Sequence, residues 1–261
     1  MMRVKCKKKN IGFTLIEIMI SLVLGLIVIG GAISIYIATV GSSSNTLKSA
    51  RLNYDLESTM SIMMNDIKRA GYWGGANDGI ATPNPFTNAD AAAGAVTNIN
   101  ILNNGTCILY GYDANSSGFL DDFTLAGASR ELYGFKLEDN SIKMRSNGTV
   151  TNDCDDGAWE NFIDENQLSI TNLQFSFEPI DALANGNSRC WNQTQKVSDD
   201  VTPLICTTSA VNGDYLIQNR MVNIKMTGVV KNDANVVKNL SGTVEIRNNR
   251  ICTRSAANNC P

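Results

Sequence analysis

Whatever chemistry this chain performs, it performs without histidine: the 261 residues contain none. Ser-His-Asp and Cys-His nucleophiles and histidine-ligated zinc are excluded together. Seven cysteines remain (Cys6, Cys107, Cys154, Cys190, Cys206, Cys252, Cys260), none in a Cys-x-x-Cys pair. No P-loop is present and the acids are scattered along the chain. Together these absences set the expectation of a protein with no enzymatic turnover.

Two acidic placements stand out. Asp113, Asn115, Ser117 and Asp121 put oxygen side chains at loop positions 1, 3, 5 and 9. Gly118 falls at position 6, and Phe119 at position 7 offers its carbonyl. This is the head of an EF-hand-like calcium loop, although position 12 is Thr124, not a bidentate Glu, with Asp122 as a substitute. An Asn/Ser/Gly turn between strands reads the same residues without a metal. The second placement is Glu17, the one charge in an apolar run from Phe13 to Val40. An acid in such a run is costly to bury and is functional by default.

That run fixes the topology. As a helix its 28 residues span about 42 Å, enough for a bilayer core of about 30 Å. Five cations (Arg3, Lys5, Lys7, Lys8, Lys9) precede it, so the positive-inside rule keeps the N-terminus cytoplasmic and exports the rest. An ordinary signal peptide has a shorter core and a small-residue cleavage site. A lipoprotein signal needs a cysteine after the run, whereas Cys6 precedes it. A plain signal anchor leaves Glu17 unexplained.

The formal charge of −3 hides an asymmetry, since 17 cations face 25 acids beyond residue 12. An acidic exported portion is a poor ligand for nucleic acid, so none is expected. The six cysteines beyond the run are an even set in a compartment where disulfides persist. Free buried thiols in a cytosolic domain are the alternative. Sequence-neighbour bridges are expected: Cys107–Cys154, Cys190–Cys206 and Cys252–Cys260.

The segment Lys9-Asn10-Ile11-Gly12-Phe13-Thr14-Leu15-Ile16-Glu17 resembles the processing motif of type IV prepilins and of type II secretion pseudopilins. The resemblance implies that prepilin peptidase cuts between Gly12 and Phe13 and that Phe13 is then N-methylated. It also implies that Glu17 forms an assembly salt bridge with the new amine of a neighbouring subunit. The amine is mostly protonated at neutral pH, so the pair would neutralise two charges in an apolar setting and set axial register. Gly25, Gly30 and Gly31 in the helix read as close packing, local flexibility or ordinary spanning-helix composition.

Beyond the membrane the helix is expected to continue on an apolar stripe: Leu47, Ala50, Leu52, Leu56, Met60, Met63, Met64, Ile67. Glycines after Ala70 stop it. Strands are expected at 97–102, 107–112, 132–137, 141–145, 168–177, 216–230 and 236–246, with loops at 76–96 and 181–213. The expected architecture is therefore α+β and type IV pilin-like. A long N-terminal helix packs on an antiparallel sheet with disulfide-stapled loops. Its parts are a basic leader (1–12), a transmembrane assembly helix (13–40), the exported continuation of the helix (41–75) and a globular domain (76–261).

Three downstream segments are similar to PilW-type minor pilins: Asn65–Gly74, Trp159–Phe175 and Val244–Asn248. The last also resembles J-type pseudopilins. The resemblance implies a minor pilin that primes type IV pilus assembly, with links to adhesion and twitching motility. Its implied partners are prepilin peptidase, the major and other minor pilins, a tip adhesin and the inner-membrane assembly platform. Its implied course runs from the inner membrane, with a periplasmic domain, to the pilus surface. A type II secretion pseudopilin shares the leader and fold. A DNA-uptake pilin would need a basic aromatic stripe, and a membrane-anchored hydrolase would need a catalytic cluster.

Overall fold

The computed structural model describes residues 12–77, 84–88, 96–121, 131–177, 189–194, 204–205, 211–231 and 233–253. The chain divides into two compact units, residues 1–49 and 50–261. Helix α1 (Leu15–Ile67) contributes to both.

In the first unit the apolar side chains from Phe13 to Val40 are all exposed, unlike those of a core helix. The helix is long and apolar enough to cross a membrane. It runs unbroken through Gly25, Gly30 and Gly31. Its hydroxyls fold back onto the preceding turn: Ser21 to the carbonyl of Glu17 at 2.7 Å, Ser34 to Gly30 at 2.9 Å and Thr39 to Ile35 at 2.9 Å. These bonds satisfy polar atoms that hydrocarbon could not.

In the second unit α1 turns amphipathic, burying Leu52, Leu56, Thr59, Met60, Met63 and Ile67. Leu47 and Ala50, expected in the stripe, are exposed. They lie five and two residues before Leu52, hence about 140° and 160° around the helix from it. The helix ends at Ile67, short of the expected stop. Tight turns follow to Gly71, whose φ of +74° suits glycine.

Three antiparallel sheets complete this unit. β1 (Asn100–Leu102), β2 (Cys107–Gly111), β3 (Leu132–Glu138), β4 (Ser141–Asn147) and β5 (Ala158–Asn161) pair in chain order. β6 (Leu168–Phe177), β10 (Met221–Val230) and β11 (Asp233–Glu245) form the second sheet, with β10 central. β7 (Arg189–Asn192), β8 (Leu204–Ile205), β9 (Tyr215–Asn219) and β12 (Arg250–Thr253) form the third, in the order β12-β9-β7-β8. The core joins the buried helix stripe to Ile108, Tyr110, Phe135, Ile170, Leu173, Phe175, Ile224 and Met226. Helix and sheet approach closely at Gly228, where a Cβ would lie 2.7 Å from Leu56 Cδ2.

The α+β, pilin-like architecture is present as expected. The β3–β4 hairpin turns at Asp139 and Asn140, both with positive φ (53° and 58°), as a two-residue turn matching strand twist requires. The β6–β10 pair carries a bulge: Thr227 pairs with Asn172 and Gly228 with Ile170. Two expectations are corrected. The stretch 216–230 is two strands in different sheets, parted at Arg220, whose buried guanidinium bonds the carbonyl of Asn248 at 3.2 Å. The loop expected over 181–213 contains β7 and β8, too short for periodicity to reveal.

Candidate functional site

The N-terminal site starts at Gly12, Phe13 and Thr14, which are exposed and precede the helix. Thr14 caps it. The Glu17 amide donates to Thr14 Oγ1 at 3.3 Å and to its carbonyl at 3.1 Å, and the Ile18 amide to the same carbonyl at 3.2 Å. Thr14-Leu15-Ile16-Glu17 thus has the T-x-x-E pattern of a capping box, a signal legible in the sequence and overlooked above. Glu17 lies in the first turn, where the helix dipole favours a negative charge. A peptidase would find the Gly12–Phe13 bond unobstructed, since no heavy atom lies within 4 Å of a Cβ built on Gly12.

In the second unit the polar groups converge on the helix end. Asp66 accepts from Tyr110 Oη at 2.5 Å and from Tyr112 Oη at 2.9 Å. Arg69 lies 4.0 Å over the Tyr112 ring and 3.6 Å from Asp66. Tyr133 stacks on Tyr112 at 4.1 Å. Burial, reinforced by the Asp66 charge, pushes the Tyr110 and Tyr112 phenols well above their ordinary values. Asn248 Nδ2 donates to the carbonyls of Arg69 and Ala70, and the Gly71 amide to Gly111 at 2.7 Å.

The Asp113 loop docks against the same helix exit. Asp113 is buried; its Oδ1 accepts the Ser117 amide at 3.0 Å. Its Oδ2 accepts the amides of Gly118 at 2.8 Å and Gly74 at 3.0 Å. Trp73 Nε1 donates to the Gly118 carbonyl at 2.7 Å. Asn115 Nδ2 donates to Asp121 Oδ2 at 2.8 Å, and Ser117 Oγ to the Phe119 carbonyl at 3.1 Å. Glu131, fully buried, accepts the amides of Ala114 at 3.3 Å and Asp121 at 2.9 Å. Burial raises its carboxyl to about 7; the charges of Asp121 and Asp113 push the same way, and the amide bonds oppose them.

Two comparisons with known families bear on these sites. The Prokaryotic N-terminal methylation motif matches residues 7–33, which include Gly12, Phe13 and Glu17. The profile of Prepilin peptidase-dependent protein B matches residues 45–246, most of the chain. The chain belongs to the prepilin peptidase-dependent protein B family. Neither a curated protein nor a solved structure matches it at a significant level.

Membership places this chain among prepilin-like proteins, with a minor pilin or pseudopilin role and prepilin peptidase as a partner. The N-terminal helix and motif fit a single-pass protein anchored in the inner membrane. Of the expected bridges, Cys107–Cys154 is present, with Cα atoms 6.6 Å apart, beneath Leu102 and Trp159. Cys6, Cys206 and Cys260, and the side chains of Cys190 and Cys252, lie outside the described residues. So do Asp122 and Thr124.

For this family member the Asp113 loop is a latch closing on its own backbone. Among the described residues no three His, Cys, Asp or Glu side chains are disposed to hold a metal. The sequence reading missed Glu131 and the Asp66 clamp. Both meet their partners through tertiary contact, and neither has a local signal in the sequence.

Proposed function

We propose that this chain is a PilW-type minor pilin that primes type IV pilus assembly in a tip complex. Its partners there are other minor pilins, the major pilin, a tip adhesin and the inner-membrane platform. The observation that carries the reading is the placement of Glu17 one turn after Phe13, on a helix whose apolar side chains from Phe13 to Val40 are all exposed. Cleavage at Gly12–Phe13 would create a cation where that carboxylate can pair, within the subunit or with its neighbour. An arriving subunit without the acid would leave a buried amine unpaired, at a cost of about 3–5 kcal/mol. The similarity of Val244–Asn248 to J-type pseudopilins gives the second reading, a role in type II secretion.

Deletion of the gene, followed by counting surface pili and assaying secreted proteins, separates the two. Loss of pili with secretion intact supports the pilin; the opposite supports the pseudopilin. Complementation with Glu17→Ala is expected to restore the membrane level of the protein but not the pili. Normal piliation with that variant removes Glu17 from assembly.

Calcium at Asp113, Asn115, Ser117, Phe119 and Asp121 is a further part of this proposal. What supports it is the spacing of these oxygen-bearing residues, which matches the head of an EF-hand-like loop.

A further inference from the structure

Lys143 on β4 and Asn161 on β5 are direct cross-strand partners. Such pairs hold their Cβ atoms about 5 Å apart, within easy reach of a lysine side chain. The Lys143 side chain is only 15 % exposed, and its Nζ touches Asn161 Oδ1. Glu165 Oε1 lies 3.1 Å from the same nitrogen. A lysine–glutamate pair alone would be a surface ion pair of small effect. The added carboxamide changes the chemistry available. Its carbon lies one C=O bond, about 1.2 Å, beyond the oxygen that the amine already contacts. That holds the amine beside the carbonyl group, where proximity replaces encounter.

We infer that Lys143 and Asn161 become joined by an intramolecular isopeptide bond, with Glu165 relaying the proton. The Glu165 carboxylate accepts a proton from the Lys143 ammonium, and the freed amine attacks Asn161 Cγ. Collapse of the tetrahedral adduct breaks the Cγ–Nδ2 bond. The protonated Glu165 supplies the leaving nitrogen with its proton and then takes the second proton from the attacking nitrogen, which it passes to the departing ammonia, so that a neutral amide, an ionised Glu165 and ammonium remain. The amide formed replaces the amide broken, so no oxidant, reductant or cofactor enters.

The link fits its place in the fold. β5 has four residues and is the terminal strand of its sheet. Its exposed edge and short ladder give it little hold of its own. A covalent bond to β4 fastens it and the chain running on to Glu165, as Cys107–Cys154 fastens β2.

The test is the intact mass of the full chain, purified in detergent and reduced, followed by tryptic mapping. The expected result is a mass lower than that of the sequence by one ammonia. A branched peptide should join the Lys143 segment to the Asn161 segment, with no cleavage after Lys143. Lys143→Arg and Asn161→Ala are each expected to abolish the loss. Glu165→Gln should keep the fold, judged by circular dichroism, while the link forms at least tenfold more slowly. A wild-type chain of full mass, cleaved normally after Lys143, overturns the inference without reference to any variant. A link that forms at the wild-type rate in Glu165→Gln overturns the proton relay.

Discussion

The side chain of Asn248 donates a hydrogen bond to the carbonyl of Ala70, 3.3 Å away, across 178 residues of sequence. A second bond from the same nitrogen reaches Arg69 at 3.2 Å. Both carbonyls lie in the tight turns just past the helix end at Ile67, and the chain leaving β11 supplies them with a donor. Asn248→Ala is expected to destabilise the second unit by about 1–2 kcal/mol. Thermal or urea unfolding of the full chain in detergent measures it, and an unchanged midpoint would show that water replaces the side chain without loss.

Tyr110 and Tyr112 share Asp66 as acceptor. Tyr110→Phe removes a buried bond to a charged group, worth about 1.5–3 kcal/mol, and leaves the carboxylate with Tyr112 and Arg69. Both phenols are raised by burial and then by Asp66, so neither should ionise in the native protein at the pH where free tyrosine does. Absorbance titration is expected to show a set of tyrosines that titrates only on unfolding. Smooth titration of all of them would contradict the clamp.

Glu131 makes stability fall with pH. Its carboxyl is raised from 4.5 to about 7 in the folded state, chiefly by burial. The folded protein therefore holds the proton more tightly than the unfolded chain. The contribution is complete below pH 4.5 and is lost as pH rises through about 7. Melting curves across that window should slope downward, and Glu131→Gln should flatten the slope. If calcium enters the loop, millimolar calcium should raise the melting temperature most at the upper end of the window, and Asp121→Asn should cancel the gain. No shift with calcium retires the metal.

Cys107–Cys154 closes a loop of 47 residues and is buried with Trp159 over it. Its loss through Cys154→Ala is expected to cost about 2–4 kcal/mol. Non-reducing peptide mapping should recover this bridge. It should also recover Cys190–Cys206, because the β7–β8 register pairs Trp191 with Ile205 and Asn192 with Leu204, one step short of those cysteines. A peptide joining Cys190 to Cys252 would refute that pairing.

The amino-acid sequence by itself determined the class and the apolar helix at its head. A run of 28 apolar residues after five cations, with Gly12, Phe13 and Glu17 at its head, is local information. It depends on consecutive residues meeting a membrane and a peptidase, and so it survives without a fold. The helix stripe from Leu52 to Ile67 and the hairpin at Asp139–Asn140 were legible for the same reason, because 3.6-residue and two-residue periods are local. Only the tertiary structure decided the rest. Glu131 became the partner of the Asp113 loop, and Asn248 the donor to the turn that follows the helix end at Ile67. Lys143 came to lie against Asn161. The stretch from 216 to 230 was divided at Arg220. Each of these depends on strand register and on which backbone donors remain unpaired after the sheets form. Such contacts are set by the packing of distant segments, and no window of sequence contains them.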